Sequence, residues 1–405
     1  MNKRWYWIIG ALALVSILLR HELLFLTSII LALVAGASAL WARYCLVGVT
    51  YRRRFGSTRL YFGEETDLHV EITNAKPLPL AWLRADDVVP AATPILSHQV
   101  EDQAGESRQL VNVLALRWYE RVTRRYRVRA AQRGAWTFGP AQLRSGDMFG
   151  FNIERGIVEQ TDTVIVFPRM APLTAFGLPA RHPFGDFRTR RRLIEDPLRL
   201  MGVRDYVQGD NFRHVHWKAT ARSQTLQTKV FEPSAQQPVA IFLNISTAEY
   251  YYQGVDWAIS EYAITAAASL ARQLWQEGRP VGLICNAHML GSSRHIRIPP
   301  RNHPSQLVEI LTALAQINEG RGRWPLENLL QAEARSLPYG TTIVAISGLL
   351  NKRLEQTLVD LQRREYGVVL VALGDAHLAA PLPNIQYHHI GGSERWHALE
   401  SLELA

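Results

Sequence analysis

Two long apolar runs open the chain. Residues 5–19 include no charged side chain, and after Arg20-His21-Glu22 a second run extends over residues 23–42. As helices rising about 1.5 Å per residue, the runs would be roughly 22 Å and 30 Å long. The second is long enough to cross a bilayer core, whereas the shorter first run needs local thinning or snorkelling by flanking arginines. The pattern predicts a transmembrane helical hairpin within residues 1–50.

Basic residues flank this hairpin on the same side. Lys3 and Arg4 precede it and Arg43 and residues 52–54 (three arginines) follow it, whereas its turn holds only Arg20 beside Glu22. The positive-inside rule then places both termini and the soluble domains in the cytoplasm, at the cytoplasmic membrane. The alternative is a cleaved signal peptide with Ala37-Ser38-Ala39 as its processing site, but that site would follow two apolar runs rather than one.

Beyond residue 51, hydrophobic residues recur at every second position. Leu68, Val70 and Ile72 alternate with polar residues, and strands of the same kind are expected at residues 110–118 and 122–130. Gly134 and Gly139-Pro140 punctuate a further strand pair. Short strands without helical period predict a β-sandwich over residues 55–168.

From residue 236 to 405, short apolar strands alternate with amphipathic helices. Strands are expected at 239–243, 281–285, 341–346 and 368–373, and helices at 257–276, 304–317 and 351–364. This order is typical of a doubly wound α/β domain with a parallel sheet, so the whole chain combines α/β and all-β parts. The ligand site of such a fold lies at the carboxyl ends of the strands, here residues 244–247, Asn286, Ser347-Gly348 and Gly374-Asp375.

Residues 169–235 read as a basic linker without regular period. Within it, Gly209-Asp210 predicts a turn followed by a helix that Asp210 caps. Trp217 and Ala221 would then share one helical face, and Arg222 would lie near the helix end. The segment is interpreted either as a docking helix packed by Trp217 or as a ligand site.

Composition narrows the function classes. The net charge of +9 fits an anionic membrane surface or an acidic partner, with Arg188–Arg192 the densest basic stretch. The two cysteines, Cys45 and Cys285, are too few for a disulfide framework or a metal site. No P-loop, G-x-S-x-G elbow or zinc pair occurs, and Asp196, Asp205 and Asp210 are interpreted as loop or cap acids without a histidine partner.

Several motifs resemble those of one bacterial family. They are Arg133-Gly134, Gly139-Pro140, Asp147-x-Phe149-Gly150 and the long motif Arg204-x-Tyr206-x-x-Gly209-Asp210-x-x-Arg213-x-x-x-Trp217-x-x-x-Ala221-Arg222. Together they are similar to the domain-of-unknown-function 58 proteins. The resemblance implies two membrane helices, a β-sandwich and a von Willebrand factor A-like domain. It also implies a MoxR-type AAA ATPase as partner, with a transglutaminase-like membrane protein as a possible further one.

The chain departs from the von Willebrand A pattern where that fold binds metal. The pattern Asp-x-Ser-x-Ser is replaced by Asn244-Ile245-Ser246-Thr247-Ala248, and Ser347 stands where an aspartate is expected. Hard divalent cations prefer anionic oxygens, so we expect no metal at these degenerate positions and no cofactor.

The leading functional hypothesis is a membrane-anchored adaptor for protein interactions, without enzymatic activity. Its interaction residues would be those of the long motif: Arg204, Tyr206, Gly209, Asp210, Arg213, Trp217 and Arg222. The alternative is a membrane-bound enzyme or ligand-binding protein acting on a cell-envelope precursor, with Asp210, Arg213 and His216 lining a cleft. Nucleic-acid binding is not expected, because Trp217 alone makes no stacking platform.

Overall fold

The structure is a computed structural model that divides into two compact units, Met1–Pro168 and Arg169–Ala405, taken here one at a time. It describes residues 3–19, 21–96, 101–102, 107–148, 152–176, 195–208, 210, 212–233, 237–250, 252, 254–288, 294–317, 322, 324–338, 340–378 and 380–401.

The first unit begins with two helices joined by a tight turn. Helix α1 spans Lys3–Leu18 and α2 spans Glu22–Cys45, and they pack against each other. Leucine, alanine and isoleucine dominate the sequences of both helices. Neither helix therefore needs separate polar and apolar faces in order to form. Among the described helices, only the 24-residue α2 is long and apolar enough to span a membrane, whereas α1 has 16 residues.

Helix α2 has two different faces towards its carboxyl end. Small residues at Ala35, Ser38 and Ala42 are buried, while Leu33 and Leu40 are more than 60% exposed. The buried face packs on strands of the first unit. The last third of α2 is therefore part of a protein core as well as of an apolar helix.

Eleven strands follow in the described part of the first unit. They are β1 (Val49–Phe55), β2 (Arg59–Leu60), β3 (Glu65–Asn74), β4 (Leu80–Pro90), β5 (Glu101–Asp102), β6 (Ser107–Leu116), β7 (Arg121–Arg129), β8 (Gly134–Phe138), β9 (Ala141–Gly146), β10 (Ile153–Val158) and β11 (Asp162–Val166). They form sheets ordered β1-β3-β7, β10-β9-β4-β6-β5 and β2-β11-β8. One hydrophobic core joins residues from all three sheets.

Alternating side chains explain these strands. Leu68, Val70 and Ile72 of β3 are buried, as are Tyr126 and Val128 of β7, while the intervening residues of both strands are at least partly exposed. The strands predicted over 110–118 and 122–130 are confirmed as β6 and β7, and the strand pair around Gly139-Pro140 as β8 and β9.

A buried ion pair lies inside this core. The Arg53 guanidinium contacts the carboxylates of Asp87 and Asp162, and the Tyr51 hydroxyl donates to Asp87 at 2.7 Å. Burial raises the pKa of Asp87, although Arg53 opposes the shift. Arg53, counted above among the basic residues that flank the hairpin, is thus enclosed in the folded unit.

The second unit holds the remaining elements. They are β12 (Glu195–Asp205), α3 (Trp217–Ser223), β13 (Gln227–Pro233), β14 (Val239–Asn244), α4 (Trp257–Gln276), β15 (Val281–His288), β16 (His295–Arg301), α5 (Gln306–Ala315), α6 (Leu326–Glu333), β17 (Thr342–Ser347), α7 (Lys352–Arg363), β18 (Gly367–Ala372), β19 (Gln386–His389) and α8 (Ser393–Ser401). Strands β14 to β19 form one sheet in the order β16-β15-β14-β17-β18-β19.

This sheet is parallel except for its edge strand β16. Helices α6 and α7 cover one face through Leu329, Leu354 and Leu358, and α4 packs with α5 and α8. The four predicted strands are confirmed as β14, β15, β17 and β18, and the three predicted helices as α4, α5 and α7. Strand β14 lies between β15 and β17, and the later strands are added on the opposite side of β14 from β15 and β16. The carboxyl ends of β14 and β17 therefore form the switch point of the sheet.

The second half of the segment 169–235, expected to be a basic linker without regular period, contains two strands that the pattern did not predict. Strands β12 and β13 pair as an antiparallel hairpin with irregular register at its start. Asp196 and Asp205, expected in loops or caps, lie in β12. The basic stretch Arg188–Arg192 lies outside the described residues.

Candidate functional site

The long motif forms the end of the β12–β13 hairpin. Arg204 holds both carboxylate oxygens of Asp210 in two hydrogen bonds of 2.7 Å. Asp210 also accepts the backbone N–H of Val207 at 3.0 Å. Such paired, charge-assisted bonds are strong, so the two side chains determine the shape of the turn between them. The hydrogen bonds from Arg204 and from the backbone N–H of Val207 hold the pKa of Asp210 at about 2, well below its usual range.

Aromatic rings continue from this turn. The rings of Tyr206 and Phe212 meet edge to face at 5.7 Å, and those of Phe212 and Trp217 lie 6.4 Å apart. Phe212 and Trp217 are 59% and 64% exposed. We define the motif surface as the Arg204–Asp210 pair together with the exposed apolar residues Val207, Phe212, Trp217 and Leu226.

Two expectations for this motif are wrong. Asp210 does not cap a helix, because α3 begins seven residues later with His216 as its N-cap, whose Nδ1 accepts from the Ala219 N–H at 3.0 Å. Trp217 does not pack a docking helix either, since α3 has no buried residue. Asp210 is bound by Arg204 and by the backbone of the turn, and His216 is the residue that caps α3.

The other motif residues behave differently. Arg222 lies in the last turn of α3, as predicted, and is exposed. Gly209 and the side chain of Arg213 lie outside the described residues. Asp210 and His216, which the enzymatic alternative expects to line a cleft, are each engaged in the local contacts just given.

A polar network occupies the switch point of the sheet. Asn244 Nδ2 donates to Ser347 Oγ at 2.9 Å, and Asn244 Oδ1 accepts from Asn286 Nδ2 at 2.7 Å and from the Ser246 N–H at 3.0 Å. Ser246 Oγ accepts from the Gly322 N–H at 3.0 Å. The structure therefore brings together the three degenerate positions Asn244, Ser246 and Ser347, as predicted from their place at strand ends.

The side chains of this network do not suit a divalent cation as ligands. All of its side chains are neutral amides or hydroxyls, and Asn244 gives both a donor and an acceptor to its neighbours. An aspartate at position 244 could not donate the hydrogen bond that Asn244 gives to Ser347, because an ionised carboxylate has no donor. No cluster of three or more His, Cys, Asp or Glu side chains occurs in the described ranges.

An open cleft of about 1000 Å³ adjoins the network. Residues from three connections line it, among them Asn244, Ser246, Tyr250, Trp324, Glu327 and Lys352. We call it the switch-point cleft. Gly374-Asp375, also expected at this edge, is not among its lining residues.

Sequence reasoning missed Gly322, Trp324 and Glu327, which enter from the connection before α6. A side chain at Gly322 would overlap Asn286, so the close approach requires glycine. The signal in the sequence was Trp324-Pro325, an aromatic residue next to a proline that starts a helix.

Comparison with known proteins finds a family model that matches part of the chain. Residues 202–394 match the family described as "Protein of unknown function DUF58". An uncharacterised protein of Bacillus subtilis (strain 168), YeaD, is 24% identical over 300 residues, which is 70% of each chain.

Solved structures resemble the chain only distantly. Native alpha-2-macroglobulin of Escherichia coli covers 30% of this chain and 17% of its own, at 16% identity and a TM-score of 0.24. A cohesin module of a Clostridium perfringens glycoside hydrolase covers 29% of this chain and 95% of its own, at 11% identity and a TM-score of 0.21. At these scores the likenesses carry no argument.

Both the motif surface and the switch-point cleft fall inside the DUF58 match. The family description gives no activity, so function has to be argued from the two sites themselves.

Proposed function

We propose that this protein is a membrane-anchored adaptor whose motif surface binds another protein. The observation that carries the proposal is the exposed row of Phe212 and Trp217 beside the Arg204–Asp210 pair. Exposed aromatic residues and arginines are the side chains that most often dominate binding energy at protein interfaces. Contiguous apolar residues at a surface generally mark an interaction site.

The rigidity of the motif surface supports the same function. Arg204 and Asp210 hold the turn, and α3 is short and has no buried residue, so it contributes little to a core. A surface whose rings are fixed before binding loses less conformational entropy when a partner docks.

The architecture supports a modular adaptor. The three sheets and single core of the first unit fit a β-sandwich, and the strand order of the second unit fits a von Willebrand factor A-like domain. Domains of this kind present loops and edges for binding while the sheets stay fixed.

We infer that α1 and α2 form a hairpin in the cytoplasmic membrane with both ends in the cytoplasm. The apolar length of α2 and the basic residues on both flanks support this. Ser38, at the centre of the alternative signal-peptidase site, is buried in the folded first unit. That burial favours a helix that is retained.

The partner we propose is a MoxR-type AAA ATPase, with a transglutaminase-like membrane protein as a further member of the assembly. This choice rests on the resemblance of the long motif to the domain-of-unknown-function 58 proteins. An adaptor would hold the ATPase or its client at the inner membrane surface.

The experiment is a co-purification of the full-length protein in detergent with a MoxR-type ATPase from the same organism. We expect Trp217→Ala to reduce the captured ATPase at least tenfold. Its fold should be unaffected, because substitutions of exposed residues usually change stability by less than about 0.5 kcal/mol.

Trp118→Ala is the matched control. Trp118 is 65% exposed, almost the same as Trp217, but belongs to the first unit. It should leave the captured amount unchanged. Equal capture by wild type and Trp217→Ala would remove the motif surface from the proposal, and no capture by wild type would remove the ATPase.

A further inference from the structure

Glu327 is an acidic residue in an unusual place. It lies in the first turn of α6, is only 8% exposed and lines the switch-point cleft. In the described part of the chain its side chain has no hydrogen bond or ion pair. Acidic side chains are rarely buried in proteins without a partner, so one that lines a cleft and is bound by no other residue is a candidate for binding a partner from outside the chain.

The surroundings of Glu327 favour an organic cation as that partner. Trp324 also lines the cleft and is 50% exposed, and Tyr250 lines it at 51% exposed with one ring face stacked on Tyr252 at 5.5 Å. A cation near such rings is attracted by their negative faces. A carboxylate beside aromatic rings therefore suits an ammonium or guanidinium group on an apolar stem.

A divalent cation fits less well. Mg²⁺ and Ca²⁺ need several oxygen ligands in a compact shell, and anionic oxygens above all. The neighbouring side chains Asn244, Ser246 and Ser347 are neutral, and hydrogen bonds to one another and to Asn286 engage them. Glu327 and Glu249, which also lines the cleft, would be two carboxylates beside an occupied network, fewer than the several oxygen ligands that such an ion needs.

The other side chains of the cleft indicate that the cation belongs to a polypeptide. Lys352 and Arg353 at the start of α7 line the same cleft and are exposed. They would attract a carboxylate of the same ligand, so the cleft offers opposite charges to one bound segment. An extended peptide with a basic side chain and a nearby acidic group matches both the Glu327 carboxylate and these two basic side chains.

We propose that the switch-point cleft binds a lysine or arginine side chain of a partner polypeptide through Glu327, without a metal ion. The proposal concerns a different surface from the motif surface. Loss of one site can therefore be measured while the other still binds.

The test uses full-length protein in detergent and the peptide acetyl-Gly-Lys-Gly-Asp-Gly-amide, followed by ligand-observed NMR. We expect saturable binding that weakens at least tenfold in Glu327→Gln. A peptide with an Nε-acetylated lysine should bind at least tenfold more weakly to wild type, because acetylation removes the charge.

Glu355→Gln is the matched control. Glu355 occupies the first turn of α7, as Glu327 does in α6, and is not among the residues that line the cleft. It should bind the peptide like wild type. Lys352→Glu gives a second variant on an exposed position, and its added carboxylate should weaken binding of the aspartate-containing peptide.

Four results would overturn the proposal. They are no saturable binding to wild type, equal binding by Glu327→Gln, equal binding of the acetylated peptide, and saturable Mg²⁺ binding that Glu327→Gln abolishes. Co-purification of the ATPase through Trp217 would be unaffected by any of them.

Discussion

Arg204 and Asp210 determine a turn although they are six residues apart in the chain. The planar guanidinium matches both carboxylate oxygens, and lysine could not reproduce this geometry. The local sequence suggested a helix cap for Asp210, because an aspartate after glycine commonly precedes a helix. The two hydrogen bonds from Arg204 bind the Asp210 carboxylate more strongly than the single backbone N–H of a helix cap would.

The pH dependence of this pair is testable. With its pKa at about 2, Asp210 stays ionised until the pH falls well below its ordinary range. Since the folded pKa is depressed, the contribution of the pair to stability is present above about pH 4 and is lost as the pH falls towards 2. We expect ¹³C NMR of the Asp210 carboxyl to give a midpoint at about 2 in wild type.

Arg204→Met should raise that midpoint towards 4, the value of an unpaired aspartate. Arg222→Met is the control, because Arg222 has no described contact with Asp210, and it should leave the midpoint unchanged. An unaltered titration in Arg204→Met would mean that the backbone N–H of Val207 and not the ion pair holds the carboxylate.

At the scale of elements, α2 serves two environments. Ser38 Oγ donates to Asp147 Oδ2 at 2.7 Å, and the Asn152 N–H donates to Asp147 Oδ1 at 2.9 Å. The helix is thereby bound to the β9–β10 connection. About seven residues, roughly 10 Å of helix, lie beyond this contact, so residues 22–38 would cover about 24 Å of bilayer.

Removal of the carboxylate should loosen α2. Asp147 is 1% exposed, and Asp147→Ala removes two charge-assisted hydrogen bonds, so we expect the free energy of unfolding to fall by about 2–3 kcal/mol. Urea unfolding of the full-length protein in detergent, followed by circular dichroism, measures this change.

Ser38→Ala should cost about 1 kcal/mol, because the backbone of Asn152 still binds the carboxylate. Asp67→Ala is the control on an exposed position of β3 and should stay within about 0.5 kcal/mol. If Asp147→Ala is no less stable than Asp67→Ala, the helix is not held to the sheets by this contact.

At the scale of the whole molecule, the hairpin and a single crossing predict different topologies. The native cysteines Cys45 and Cys285 are both buried, so they should not react with a membrane-impermeant maleimide in the folded protein. We expect His21→Cys, in the turn between α1 and α2, to be labelled in intact cells.

Asn2→Cys separates the two topologies. If α1 crosses the membrane as well as α2, this cysteine lies in the cytoplasm and is labelled only after the cells are permeabilised. If α2 alone crosses, residue 2 stays on the same side as residue 21 and both are labelled from outside. Ser223→Cys, on an exposed position of the second unit, reports the side of the membrane on which that unit lies.

Much of the architecture was predictable from local pattern. Alternation in β3 and β7 and the apolar runs of β14, β15, β17 and β18 follow from burial on one face or on both. Strand β16 was missed because it is an edge strand that contains Pro299-Pro300, and the hairpin β12–β13 because its pairing is irregular.

The sequence alone determined the apolar strands and most of the helices, though not β12, β13 and β16, and it placed Asn244, Ser246 and Ser347 at strand ends, because hydrophobic period is a local property. Only the tertiary structure decided that Asp210 pairs with Arg204, that Trp217 is exposed and that Glu327 enters the cleft. These outcomes depend on which distant residues compete for the same partner and on which surfaces remain uncovered. The hydrophobic pattern of a segment contains neither.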